Sequence, residues 1–263
     1  MKGEFRQQIK EGQAMPHRDR EYWDGRAQSF SNYAIHTPYS ESFLKLMDLR
    51  PDWTVLDMAC GGGTLAIPLA PKVKRITAVD FSRNMLSIVE QRCREHGIAN
   101  IDTILGQWAD DWDSLGIGEH DVAIASRSLP FEDASPYIKK LDRAARRQVY
   151  ISVPVGSGPI DAALYTFAGR DPYRSGDYIH FYHLLYDMGI RANVVLIKEA
   201  HRNRWKTHEE ALEDQRWMFH GMTSSEEELV QRYLRQHLIR REDVWQLPYE
   251  RTCYWAVMWW IKE

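Results

Sequence analysis

The chain has 263 residues, 44% of them apolar and 27% charged, the balance of a globular protein with ample core. Its 34 basic and 37 acidic side chains are interspersed and leave a formal charge of −3, which disfavours a polyanionic partner such as nucleic acid. Three scattered cysteines without a CxxC pair exclude a disulfide framework and give no zinc signature, so no metal is expected.

The N-terminus is polar, and the longest apolar run, Cys253 to Ile261, is too short to span a bilayer. A cytoplasmic protein with no membrane partner is expected. Residues 1–50 read as an N-terminal helical lid: twenty charged, aperiodic residues, then one or two helices between Tyr22 and Leu49. Thr54 to Met58 reads as a strand, followed by Gly61, Gly62 and Gly63 and a helix from Leu65 in which Pro68 predicts a bend. Arg75 to Val79 is a second strand. Ser82 is the predicted N-cap of a helix with Met85, Leu86, Val89 and Cys93 on one face and Gly97 as its stop. Ile101–Leu105, Asp121–Ala125 and Gln148–Val153 supply three more strands, with a helix from Pro136 to Arg146 before the last of them.

The remaining third differs. Asn193–Ile197 and Thr252–Ile261 read as strands. Between them, 200–245 forms a helical insertion whose helices open at Thr207–Glu210 and Ser225–Glu228, both of capping-box pattern. Strand–helix alternation predicts an α/β fold, a mostly parallel sheet covered by helices on both faces. With no repeat or linker in view, 1–263 reads as one domain. The ten tryptophans point to an aromatic core or an aromatic-lined pocket.

The chemistry is concentrated in Val55-Leu-Asp-Met-Ala-Cys-Gly-Gly-Gly63 and in Asp80, 23 residues after Asp57. A glycine-rich strand-to-helix turn lets backbone approach a ligand closely. An acid ending the next strand is placed to accept ribose hydroxyls. Turn, acid and strand context together are far more specific than glycines alone.

These residues resemble the class I S-adenosylmethionine (SAM)-dependent methyltransferases. ITAVDFSRNML is similar to the second motif of their quinone-biosynthesis-like branch. The resemblance implies a Rossmann-like seven-stranded sheet with an antiparallel C-terminal strand, and SAM as cofactor. It places Asp57, Ala59 and Gly61 along the methionine moiety, Asp80 on the ribose, Phe81 against adenine, Gln107 and Trp108 at the adenine border, and Ser126 near the sulfonium. Two positions depart from the pattern. Ala59 replaces a glycine and is tolerated only with negative φ. Gln107-Trp108 replaces an acid and alanine.

Beyond the motifs, Arg127 could pair with an acidic acceptor or brace its loop. Trp23, Tyr33 and Tyr39 could close over the cofactor or pack as helix residues. Tyr178 to His183 falls where such folds place substrate-facing side chains. Tyr33, Arg127 and Tyr178 are the candidate acceptor residues. His36, His180 and His183 are the candidate bases for an acceptor that must lose a proton. The expected activity is methyl transfer to a small molecule. The rivals are a nicotinamide-dependent oxidoreductase, which Thr64 at the third motif position opposes, and a non-catalytic SAM-binding module.

Overall fold

The computed structural model describes residues 19–34, 38–129, 133–172, 177–219 and 221–262, and only the backbone of 29–34. The described chain forms two compact units. The larger runs to Val153 and adds Tyr178–Ile197 and Ala256 onward; the smaller takes Pro154–Asp177 and Lys198–Trp255.

The larger unit is built on strands β1 (Thr54–Met58), β2 (Arg75–Asp80), β3 (Ile101–Leu105), β4 (His120–Ser126) and β5 (Ala145–Pro154). The full sheet has seven strands in the order β3-β2-β1-β4-β5-β9-β6, with β6 at Asn193–His201 and β9 at Arg251–Ile261. β1 lies parallel to β2, with Asp57 opposite Ala78, and to β4, with Asp57 opposite Ile124. Val55, Leu56 and Met58 are buried on alternate faces, as a strand covered on both sides requires. β9 is the antiparallel strand: Val155 N–H bonds Tyr254 and Lys262 N–H bonds Arg147, so one chain rises as the other falls. The Rossmann-like sheet with an antiparallel C-terminal strand is thereby found.

Helices α1 (Arg20–Ala34) and α2 (Pro38–Lys45) precede the sheet. Trp23 and Ala27 pack on Met85 and Ile88 of α4 (Arg83–His96). Ser82 caps α4 by accepting the Met85 amide, and Gly97 ends it at φ 65°, both as expected. The helix after the glycines is much shorter than its sequence pattern. α3 is only Ala66–Leu69, and a 3₁₀ turn takes over at Ala70–Lys72, because Pro71 follows Pro68 closely and each withholds an amide. α5 (Ser135–Ala144) buries Ile138 and Leu141, and α7 (Tyr178–Asp187) buries Phe181 and Leu185.

The smaller unit holds α6 (Ala162–Phe167), α8 (His208–Gln215), α9 (Ser224–His237) and a hairpin of β7 (Ile239–Arg241) with β8 (Val244–Gln246). Its core joins Leu164, Tyr165, Trp205, Phe219, Val230 and Leu234, with Tyr165 stacked on Phe219 at 4.9 Å. The cap of α9 is Thr223, not Ser225. Thr223 and Glu226 form the reciprocal box, two residues earlier than the pattern first suggests. At α8 Thr207 does cap Glu210, but the Glu210 carboxylate turns to the Lys206 amide instead. Among the described residues no helix is long and apolar enough to cross a membrane.

Candidate functional site

The carboxyl ends of β1 and β2 meet at the glycine turn. Ala59, Gly61 and Gly63 all adopt positive φ, at 57°, 55° and 84°. For Ala59 this reverses the expectation of negative φ. The left-handed region costs an alanine about 1–2 kcal/mol, so neighbouring contacts must hold it there. Cys60 N–H bonds Val79 O at 2.9 Å, Gly61 N–H bonds the Asp80 carboxylate at 2.8 Å, Gly63 N–H bonds Cys60 O at 3.1 Å, and the Arg92 guanidinium bonds Gly62 O. At Gly63 a Cβ would sit 3.0 Å from Ile67 and 3.3 Å from Val89, so only glycine lets the turn pack on α4. The Gly61 amide therefore ties the turn to β2 and is already engaged, instead of standing free toward a ligand.

Two acids face this edge. Asp57 is buried, and its Oδ2 has no hydrogen-bond partner. Burial and the nearby Asp80 charge push its pKa up to about 7, against the pull of the Ala66 amide. Asp80 is also buried, and burial raises its pKa while the amides of Ser82 and Gly61 oppose the rise. Ser82 N–H donates to its Oδ1 at 2.9 Å and Gly61 N–H to its Oδ2 at 2.8 Å. Each carboxylate oxygen has two acceptor sites, so capacity remains for hydroxyl donors. A third acid, Asp24 of α1, accepts from the Ser82 hydroxyl and, at 3.5 Å, the Asn84 amide, while its own carbonyl accepts from the Asn84 side chain at 3.1 Å. Asp24 thus fastens α1 to the start of α4. Sequence reasoning missed it, since nothing in the local sequence of α1 marks it.

Phe81 follows Asp80 and is partly exposed. Gln107 is exposed and turned inward on its own loop, its backbone and side-chain N–H groups both donating to Asp110. Trp108 lies in an aromatic cluster with Trp112 at 5.8 Å and Tyr137 at 5.7 Å, its indole N–H buried without an acceptor. Ser126 ends β4, where its hydroxyl is 2.7 Å from the Tyr39 hydroxyl, which is also 2.6 Å from Ser152. Arg127 takes φ 58°, its amide bonding Ser152 and its guanidinium standing 4.3 Å from the Tyr39 ring centre. Tyr39 is thus a fully buried packing residue that locks α2 onto the ends of β4 and β5.

Among the described residues, no bond brings the candidate bases His180 and His183 to the glycine turn. His180 on α7 is half-buried, edge-on to Phe181, and its pKa is lowered by burial and by His183. His183 is exposed. Tyr178 starts the same helix, partly exposed. His36 and the Tyr33 side chain lie outside the described residues.

The turn, the two acids and the parallel edge coincide with a known family. Residues 55–148 match the model described as a methyltransferase domain. The whole chain is similar to an uncharacterized protein of Haemophilus influenzae, 27% identical over 241 residues, 90% of this chain and 88% of the relative. Over 37% of this chain and 46% of the relative it is 26% identical to demethylmenaquinone methyltransferase of Listeria welshimeri. It is 27% identical to the 23S rRNA (uracil(1939)-C(5))-methyltransferase RlmD of Bordetella parapertussis over 57% of this chain and 34% of that protein. A Bacillus halodurans protein described as a methyltransferase shares the fold, at TM-score 0.57 and 13% identity, covering 85% of this chain and 98% of that one.

The residues at this edge can be tested against SAM, the cofactor that the resemblance implies. SAM presents an ammonium, two ribose hydroxyls and an adenine. The partnerless Asp57 oxygen suits a cation, and the spare acceptor sites of Asp80 suit hydroxyls.

Proposed function

We propose that the chain transfers the methyl group of SAM to a small-molecule acceptor in the cytoplasm. The observation that carries the cofactor half is the buried Asp57 carboxyl with one oxygen unpartnered, beside Asp80 at the carboxyl edge of β1 and β2. In this reading Asp57, Ala59 and Gly61 line the methionine moiety and Asp80 takes the ribose. Phe81, Gln107 and Trp108 border adenine, and Ser126 lies toward the sulfonium. When bound, SAM supplies the electrophilic carbon, so the protein contributes position and a dry pocket.

Arg127, Tyr33 and Tyr178 are the acceptor-facing residues we propose. The Arg127 guanidinium supplies positive charge beside the end of β4, which suits an acidic or phenolate acceptor. His180, kept neutral by its lowered pKa, is the base we favour over His183 for a hydroxyl acceptor, because an exposed histidine such as His183 exchanges protons with water instead; His36 stays a candidate. A thiolate or stabilised carbanion needs no base.

The small-molecule reading is supported by the interspersed charge, −3 overall, which offers no track for a phosphate backbone. An rRNA acceptor is the second reading, favoured by the likeness to RlmD. Radiolabelled SAM should be incubated with the protein and either a panel of quinols, phenols and thiols or rRNA transcripts. Label entering an organic-soluble product supports the first reading, and label retained on RNA replaces it with the second. Tight SAM binding with no transfer to any acceptor would favour a non-catalytic module.

A further inference from the structure

The paired strands β6 and β9 bring together side chains that the methyl-transfer reading does not use. Glu199 and His201 are two apart on β6, so they share a face. Cys253 and Trp255 do the same on β9, the neighbouring strand. One donor atom each from Glu199, His201 and Cys253 falls within a sphere where all three lie under 4.8 Å apart. His201 Nε2 is 3.5 Å and Cys253 Sγ 4.0 Å from the same oxygen, Glu199 Oε2. The Glu199 side chain is 2% exposed, His201 13% and Cys253 3%.

We propose that Glu199, His201 and Cys253 bind one zinc ion. The donor set is one carboxylate oxygen, one imidazole nitrogen and one thiolate, all ligands that zinc accepts in tetrahedral sites. With metal–ligand bonds of about 2.0–2.3 Å, ligand atoms of a tetrahedral site stand about 3.3–3.6 Å apart. The nitrogen–oxygen pair already meets that separation, the sulfur stands a few tenths of an ångström beyond it from the same oxygen, and all three donors lie within 4.8 Å of one another. Trp255 supplies the outer support: its indole N–H donates to Glu199 Oε2 at 2.8 Å, fixing the carboxylate as outer-shell donors do around metals. Three protein ligands leave a fourth position for water. Binding breaks the Cys253 S–H bond, forms a zinc–sulfur bond and releases one proton to solvent. The ion would bridge the two strands within the smaller unit, where Lys198–Trp255 contributes all four residues.

The site is independent of the SAM reading, and its test uses the full-length protein. Metal-free protein is titrated with zinc against a chromophoric chelator, and with cobalt(II) while the absorption spectrum is recorded. One zinc per chain, one proton released, and a cobalt thiolate charge-transfer band are expected. Cys253→Ser should abolish the band, and His201→Gln should weaken zinc at least tenfold. Trp255→Phe should weaken it about 10–100-fold, as outer-shell losses do. Should a variant misfold by circular dichroism, the cobalt band and proton release of the unaltered protein still decide. No band and no stoichiometric zinc uptake by that protein overturns the proposal. So does zinc binding that is equal in the wild type and a folded Cys253→Ser protein.

Discussion

Burial holds the Asp57 carboxyl at a pKa of about 7, so at pH 6 most free molecules carry it protonated and at pH 8 most carry it ionised. Its pKa is raised, so the folded state binds more protons than the unfolded one between about pH 4 and 7, and this residue's contribution to stability falls as pH rises through that window. A ligand cation reverses the penalty. S-adenosylhomocysteine, which keeps the ammonium, should bind about fivefold more weakly at pH 6 than at pH 7 and about tenfold more weakly than at pH 8, where the profile approaches its plateau. Asp57→Asn should flatten the profile at a lower affinity. Equal calorimetric affinities of the unaltered protein at pH 6 and 8 would separate Asp57 from the cofactor's cation. At Asp80 the alanine substitution removes a charged hydrogen-bond acceptor, which costs SAM binding about 1.5–3 kcal/mol; unchanged affinity would remove Asp80 from the ribose. Because Gly61 and Ser82 amides also rest on this carboxylate, the melting temperature should fall too. Ala59→Gly should raise stability by about 0.5–1 kcal/mol, the relief of a left-handed alanine less glycine's greater chain entropy; chemical denaturation reads the difference. Asp57, the glycines and Asp80 are legible because their spacing is local. Asp24 is not, since 58 residues separate it from the Ser82 it bonds, and Glu199 and Cys253 lie 54 apart across a strand pair that no sequence spacing reveals.

Elements with strong periodicity or caps were readable, and short ones were not. α4 declared itself through Ser82, its apolar stripe and Gly97. α6, six residues long, offers too few turns for a period to show. α7 is apolar and aromatic without a clean stripe, so Tyr178 to His183 read as pocket lining and not as a helix. At α9 the sequence carries two overlapping patterns, Thr223–Glu226, which was not anticipated, and Ser225–Glu228, which was. The structure selects the first because Arg170 fixes Glu226, at 3.0 Å to one carboxylate oxygen. The Arg170 hydrogen bonds, and the Thr223 amide after them, hold the Glu226 pKa down at about 2 despite partial burial. A depressed carboxyl stabilises above its unfolded pKa of about 4.3 and loses that contribution as pH falls toward 2. With both side chains less than a fifth exposed, Glu226→Gln should cost about 2 kcal/mol at neutral pH, discounted for residual solvent screening. The variant's melting temperature should fall less between pH 5 and 2.5 than that of the unaltered protein. A parallel acid response in the two proteins would show that the pair contributes nothing to stability.

At the scale of the molecule, alternation of strands and helices predicted a parallel sheet, but it could not order the strands. The resemblance to the methyltransferase family supplied the antiparallel C-terminal strand, and the order β3-β2-β1-β4-β5-β9-β6 bears it out. The two compact units were not anticipated, because no composition change marks Pro154 or Lys198 in a chain that reads as continuous. The placement of β9 between β5 and β6 has a kinetic consequence. β5 is finished at Pro154, yet the strand that covers its flank begins only at Arg251, and β6 has no neighbour in the sheet until then. Closing so long a loop comes late in folding, so for an interval the nascent sheet presents a naked row of amides and carbonyls along β5. That interval is when this protein is most exposed to mispairing with other chains, and refolding yield should fall with protein concentration for that reason rather than through any weakness of the finished fold.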